Sequence, residues 1–394
     1  MSAPESAAIR LGNLKLAGED TCLAALKSAF ALDTDALERV ERDAFALSAQ
    51  IRELMPKRLG VETFLAEYRL SSEEGVALMC LAEALLRIPD TATIDALLDD
   101  KLGDLDWDDR LGRSASLMVN ASTWGLALTG RLLEWGETNP TNALNMFRRV
   151  LGRIGQPVAR QAIRTALRLM GQQFVFGESI EAALRRVSDQ PAHHRFSFDM
   201  LGEAALSAAD ADRFAESYAQ AIAALATTRR GDRPAENDGI SIKLSALHPR
   251  YEEAQRARVM KELLPTLASL ARSAREAALS FTIDAEEADR LVLSLDQLER
   301  LARDPALADW DGLGLAVQAY QKRAVATIDW LDDLVRDTRR RFMVRLVKGA
   351  YWDSEIKSAQ ERGLSDYPVF TRKPVTDLFY RAAAARILKA SDRL

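Results

Sequence analysis

The chain has 394 residues, 48% of them hydrophobic and 28% charged, with a net charge of −5 at pH 7. At roughly 100–200 residues per domain this predicts two or three units, and the balance excludes a disordered polyelectrolyte or a globally basic nucleic-acid binder. Two cysteines, Cys22 and Cys80, exclude a disulfide framework, and three histidines leave little for a histidine-built metal centre, so no metal is expected. No apolar run nears the ~20 residues of a membrane-spanning helix. Residues 1–20 lack the basic start and apolar stretch of a secretory signal. The expected setting is a reducing one, the cytoplasm.

In chain order, the pattern from about Asp35 to Arg186 is helical. Leu37, Val40, Phe45, Leu47 and Ile51 recur near a helical period, and Leu78, Leu81, Ala82 and Leu85 do so again. Pro56, Pro89, Pro140 and Pro157 fall between stretches, where proline breaks one helix or starts the next. Ser71–Glu74 and Thr138–Thr141 read as helix entrances, because short polar side chains satisfy free backbone N–H groups. From Val158 to Met170 an apolar stripe opposes Arg160, Arg164 and Arg168. In a net acidic chain that row reads as a solvated face rather than a nucleic-acid stripe.

After about Arg195 the pattern changes. Phe196–Leu201, Ile240–Leu247, Leu279–Asp284, Leu313–Ala319 and Phe342–Lys348 read as strands, with long helical runs between them. Such alternation implies an α/β fold with a parallel sheet. No Gly-x-Gly-x-x-Gly follows any strand, so a doubly wound nucleotide-binding sheet is disfavoured and a (β/α)8 barrel fits better. Five strand–helix units are visible before Leu394, where a closed barrel needs about eight. The expected architecture is an N-terminal helical arm at 1–60, an α-helical domain at 61–190, and the N-terminal part of a TIM-like barrel, truncated within it, at 195–394.

Side chains alternate faces along a strand. Ile240, Ile242 and Leu244 form one face, with Ser241, Lys243 and Ser245 on the other. Phe281 and Ile283 oppose Thr282 and Asp284; Leu315 and Val317 oppose Ala316 and Gln318; Phe342, Val344 and Leu346 oppose Met343, Arg345 and Val347. Helices should cover the apolar face. Lys243, Asp284, Gln318 and Arg345 then look inward near the C-terminal strand ends, where barrel enzymes gather their sites. Each has a bland alternative. Lys243 could snorkel, Asp284 could cap the helix of Ala285–Leu301, and Arg345 could simply pair with Asp284. Four together are harder to dismiss, since an unpaired charge inside a barrel costs several kcal/mol. Lysine with aspartate suits a Schiff-base lyase using Lys243. Cations around a glutamine equally suit an anionic substrate beside an electron-poor ring cofactor. The pattern leaves both open, together with a non-catalytic helical dimerisation module carrying a degenerate barrel.

Here the residues resemble a family. Ser241–Tyr251 (SIKLSALHPRY), Asp284–Asp289 (DAEEAD), Val317–Arg323 (VQAYQKR) and Arg345–Asp353 (RLVKGAYWD) resemble successive strands of bacterial proline dehydrogenases of the bifunctional proline utilisation A type. The resemblance extends through Leu169–Val175 (LMGQQFV), Phe198–Glu203 (FDMLGE) and Tyr367–Lys373 (YPVFTRK), covering about Leu37 to the end. It implies a distorted barrel holding FAD, which oxidises L-proline to Δ1-pyrroline-5-carboxylate and passes electrons to a membrane quinone. By the same resemblance Lys243 pairs with the proline carboxylate, Asp284 orients cationic groups, Gln318 bonds the flavin ring and Arg345 sits by its hydride-accepting nitrogen. Lys348, Gly349 and Ala350 line the flavin, Tyr351 walls the substrate site and Trp352 packs near the cofactor.

It further implies a homo-oligomer, cytoplasmic and peripheral on the inner membrane surface, with an aldehyde dehydrogenase domain in the full-length parent. The later strands, and a helix carrying a carboxylate-gripping arginine pair, would fall beyond Leu394, so this chain alone is expected to be inactive. Some members begin with a DNA-binding module; the first thirty or so residues show no basic alternating strand, and no nucleic-acid partner is expected. His248 reads as a turn residue, His193 and His194 as linker, Arg339–Arg341 as a basic helix end, and neither cysteine as redox-active.

Overall fold

The five β-prone runs form β1 (Ser197–Asp199), β2 (Gly239–Ile242), β3 (Phe281–Ile283), β4 (Leu313–Gln318) and β5 (Met343–Val347). All pair in parallel, in chain order, as half of a barrel. The computed structural model describes residues 11–29, 34–54, 93, 175–200 and 204–394. The helical patterns around Leu78–Leu85 and Val158–Met170, both helix entrances, the four prolines between those stretches and Cys80 lie outside the described residues. The chain divides into two compact units, Met1–Glu41 with Val187–Leu394, and Arg42–Arg186.

In the first unit the apolar strand face is buried as its alternation predicts. Ile240, Ile242, Phe281, Ile283, Leu313 and Leu315 are at most 1% exposed. The helices between the strands supply the other side: Tyr218, Ile222 and Leu225 of α4 (Ala208–Ala226), Leu263, Leu267 and Leu270 of α5 (Arg256–Glu276), and Leu293, Leu295 and Leu298 of α6 (Leu291–Ala302). Each fully buried side chain of this size contributes about 1.5–3 kcal/mol. Ser207 starts α4 through a capping box with Asp210. α7 (Ala324–Thr338) follows β4 and buries Ile328, Leu331 and Val335. β5 forms one edge of the sheet and is half-buried along its length.

The strands are shorter than the patterns suggested. The run Ile240–Leu247 leaves the sheet at Lys243, and Leu244–Ala246 turns into a 3-10 helix. Leu244 stays buried there, so its apolarity reflects the core and not the strand. Asp284 does not cap the following helix: residues 285–287 are irregular, Ala288–Arg290 is a 3-10 turn, and α6 begins at Leu291. Arg340 is not simply a cation at a helix end. Half-buried, it donates to the carbonyls of Asp304, at 2.8 Å, and Leu307. His248 holds a turn, its Nδ1 accepting from the Arg250 N–H at 3.1 Å and its Nε2 facing Glu262 at 3.1 Å.

The N-terminal helix α1 (Glu19–Ala29) docks on α9 (Lys373–Leu388), with Leu26 among Phe370, Val375, Phe379 and Ala382. The Glu19 carboxylate accepts from the Thr371 N–H at 3.1 Å, the Thr371 hydroxyl at 2.9 Å and Arg372 at 2.9 Å. Burial pushes its carboxyl up, but these donors outweigh that and hold it below the ordinary value of 4.5. A carboxyl held down by folding stabilises above its unfolded pKa and loses that contribution as pH falls through the folded value. The α1 contact should therefore loosen as pH drops below 4.5. Hydrogen-exchange protection of 19–29, compared at about pH 6 and about pH 3.5, checks this; Glu19→Gln should already be loose at the higher pH.

In the second unit, the Arg186 guanidinium lies 4.6 Å from the Phe176 ring centre and donates to the Phe176 carbonyl at 3.3 Å. Arg186 belongs to α3 (Ile180–Val187), and α2 (Thr34–Leu54) runs across the division between the units. Val40, Phe45, Leu47 and Ile51 of α2 are exposed, Phe45 at 76%.

Candidate active site

Parallel register sets the inward side chains in layers. Asp199, Ser241, Thr282, Gly314 and Met343 are neighbours across the five strands. Two residues further on come Lys243, Asp284, Ala316 and Arg345; Ala316 pairs with Arg345, and the Asp284 N–H donates to the Ile242 carbonyl at 2.9 Å.

This layering brings three of the expected residues into one network. Lys243 Nζ contacts Asp199 at 2.6 Å and Asp284 at 3.0 Å. Arg345 Nη2 donates to Asp284 and, at 2.9 Å, to the Ser241 hydroxyl. Adjacent strands lie about 4.8 Å apart, so β3 and β5 are separated by about 10 Å. Arg345 crosses that gap because β4 presents only Ala316 and Gly314 on the inner face between them. The result is a row of alternating charge, Asp199, Lys243, Asp284 and Arg345, summing to zero. Truncating one member would leave its partner's charge uncompensated, the costly event in a partly buried pair.

The other expected residues lie around this row. Gln318 is buried; its amide donates to the Ala285 carbonyl at 3.4 Å and its oxygen accepts from Gln321 at 2.7 Å. Tyr351 is half-buried, and its hydroxyl is pushed up to about 12 by burial and by Glu286 and Glu287, with Lys243 opposing. Lys348 turns to Asp377, at 2.6 Å; Lys348 and Lys373 hold that carboxyl down at about 2. Trp352 donates to the Phe370 carbonyl at 2.8 Å, and Ala350 is exposed. Neither Lys348 nor Trp352 joins the charged row. Gly349 has φ +139°, and a Cβ there would lie 2.5 Å from the Tyr320 ring. The close approach this glycine permits is to Tyr320, whose hydroxyl accepts from the Tyr351 N–H at 3.3 Å.

Asp199 and Ser241 were not singled out as site residues. Asp199 carries a readable signal, an acid inside the first strand run, and the observed β1 ends on it. Alternation turns Ser241 inward, but its bond to Arg345 joins residues 104 positions apart. Among the described residues no group of histidine, cysteine, aspartate and glutamate could hold a metal ion. Cys22 is half-buried, and burial pushes its thiol up.

Residues 182–394 match the family described as Proline dehydrogenase. The chain belongs to the proline dehydrogenase family. Residues 60–174 match a second description, DNA-binding domain of Proline dehydrogenase. That stretch falls within the expected helical part and, Thr93 apart, lies outside the described residues. Among curated relatives, the Bifunctional protein PutA of Escherichia coli is 54% identical over 330 residues, 83% of this chain and 25% of that protein. The one from Salmonella typhimurium is 53% identical over 356 residues, 89% and 27%. A crystal structure of a Bradyrhizobium japonicum Proline Utilization A mutant matches with TM-score 0.69 and 48% identity, covering 98% of this chain and 38% of that one. The chain thus spans about a quarter of the length of the curated relatives it matches. The charged row sits wholly inside the residues that match this family.

Proposed function

We propose that the charged row of this proline dehydrogenase binds L-proline beside FAD and supports its oxidation to Δ1-pyrroline-5-carboxylate. The observation that carries this is one carboxylate, Asp284, shared by Lys243 and Arg345 at the mouth of the half-barrel. The oxidation removes a hydride from the ring carbon beside nitrogen and a proton from nitrogen, leaving a C=N bond. FAD, when bound, supplies the two-electron acceptor.

The residues present fit that group. Arg345 Nε is a buried donor with no partner among the described residues, available to a ring nitrogen or oxygen. Gln318 adds an amide in the next layer, whose N–H donates a long 3.4 Å bond to Ala285 while its oxygen accepts from Gln321 at 2.7 Å. Lys348, Gly349, Ala350 and Trp352 follow β5 directly and would border the same space. With FAD bound, the Arg345 guanidinium would offer positive charge to the negative charge that develops on the ring, an effect that is usually the largest single term in catalysis. Lys243 meets the substrate carboxylate, Asp284 keeps both cations oriented, and Tyr351 closes the wall beside them.

Ion-paired to two carboxylates, Lys243 meets a substrate as a cation, which suits a carboxylate and weighs against imine formation. The name of a Bdellovibrio bacteriovorus relative (25% identical, TM-score 0.54) records inactivation by N-propargylglycine, which shares a secondary amine and a carboxylate with proline. On this reading the electrons pass to a membrane quinone by peripheral association, and an aldehyde dehydrogenase domain in the full-length parent consumes the product. No described helix is long and apolar enough to cross a membrane.

The full-length protein should carry flavin absorbance that bleaches anaerobically on adding L-proline. A protein that stays colourless with added FAD would overturn the proposal. Lys243→Ala should raise the KM for proline at least tenfold, roughly the loss of one charge-assisted contact, with a smaller change in kcat. An unchanged KM would remove Lys243 from carboxylate binding.

A further inference from the structure

The segment between Asp284 and α6 is gripped from outside the charged row. Glu355, in α8 (Trp352–Glu361), accepts the Ala288 N–H at 2.6 Å. Arg323, at the start of α7, donates to the Ala288 carbonyl, and its Nη2 also meets Gln321 at 3.1 Å. Ala288 opens the 3-10 turn Ala288–Arg290, whose first N–H groups have no partner within the turn. A buried carboxylate from another helix does the capping. Arg323 is 2% exposed and Glu355 8%. Burial lowers the Arg323 guanidinium to about 10 and pushes the Glu355 carboxyl up. Placing both charges in the core is costly, and no step in the proposed reaction uses either of them. What they do is fix the backbone of one residue.

That residue lies four positions after Asp284. Between them, Gln318 donates to the Ala285 carbonyl, and the Glu286 carboxylate accepts the Ser245 N–H at 3.0 Å. Beyond it, Asp289 is held by Lys15 and, at 2.6 Å, by Arg362.

We propose that Glu355 and Arg323 are positioning residues: by holding the N–H and C=O of Ala288 they set segment 285–290, and through it keep the Asp284 carboxylate where it serves Lys243 and Arg345 together. This rests on the proline-oxidising reading of the charged row. The carboxylate matters here as an acceptor, so the isosteric amide should replace it.

The experiment uses the full-length protein and two readouts. Hydrogen exchange over 285–290 should quicken at least tenfold in Glu355→Ala and stay near wild type in Glu355→Gln. The kcat/KM for L-proline should fall at least tenfold in Glu355→Ala and less than threefold in Glu355→Gln. On an Asp284→Asn background the Glu355→Ala loss should shrink below twofold, because the grip acts through Asp284. Unchanged exchange in Glu355→Ala, or a loss that multiplies fully onto Asp284→Asn, would overturn the proposal. If Glu355→Ala does not fold, Arg323→Lys tests the carbonyl side by the same readings. A wild-type protein whose flavin L-proline does not reduce would refute the functional reading instead, and the exchange data would still decide the grip.

Discussion

Arg345→Met is expected to slow flavin reduction at saturating L-proline by about a hundredfold to a thousandfold, the scale for losing one preorganised donor to developing negative charge. Methionine fills a similar lane across Ala316 but offers no donor and no charge. Asp284 would keep only Lys243, at 3.0 Å, and the Ser241 hydroxyl would lose the Arg345 contact made at 2.9 Å. Arg345→Lys should recover part of the rate and no more, because an ammonium cannot reproduce the planar fork that reaches Asp284 and Ser241 while leaving Nε for another acceptor. Rapid-mixing absorbance of the flavin measures both. A rate unchanged in Arg345→Met would remove this residue from the chemistry, and with it the reason for placing a ring cofactor beside β5.

Gly349→Ala is expected to destabilise the fold by about 3 kcal/mol, the sum of a strained backbone and an overpacked contact. The backbone there has φ +139°, a conformation L side chains rarely adopt. The added methyl would also lie 2.5 Å from the far edge of the Tyr320 ring. That ring cannot swing away cheaply, being 2% exposed, with its hydroxyl accepting from the Tyr351 N–H. Chemical unfolding should show a lowered midpoint with an unchanged slope. Tyr320→Leu removes the ring atoms that clash, so Gly349→Ala should cost less on that background, the remainder being backbone strain. Equal costs on both backgrounds would mean that the ring contact plays no part.

The five strands were readable because period-2 alternation survives without knowledge of any partner. The same alternation placed Lys243, Asp284, Gln318 and Arg345 on one face. It could not say that Arg345 would reach past β4, since that depends on Ala316 and Gly314 being small at the right register. Nor could it stop the second strand at Ile242, because Leu244 remains apolar and buried in the 3-10 turn. The resemblance sets Gly349 along the flavin, but its observed neighbour, Tyr320, stands 29 positions earlier in the chain. Arg323 lies inside a motif and Glu355 just beyond one, and neither stands out in the sequence: a buried charge is invisible until packing buries it.

Side-chain direction along each strand is a local property, written in the order of residues and dictated by backbone geometry; so are helix-forming stripes and the βα alternation. Those features were settled before folding is considered. Which charges touch is not local. Asp199 and Arg345 lie in strands, Lys243 and Asp284 directly after two others, over nearly 150 positions, and only parallel registration at a fixed strand spacing brings their heads within bonding distance. The sharing of one carboxylate by two cations, and the hold on Ala288 behind it, therefore belong to the tertiary structure, because a hydrogen bond depends on position in space and not on separation along the chain.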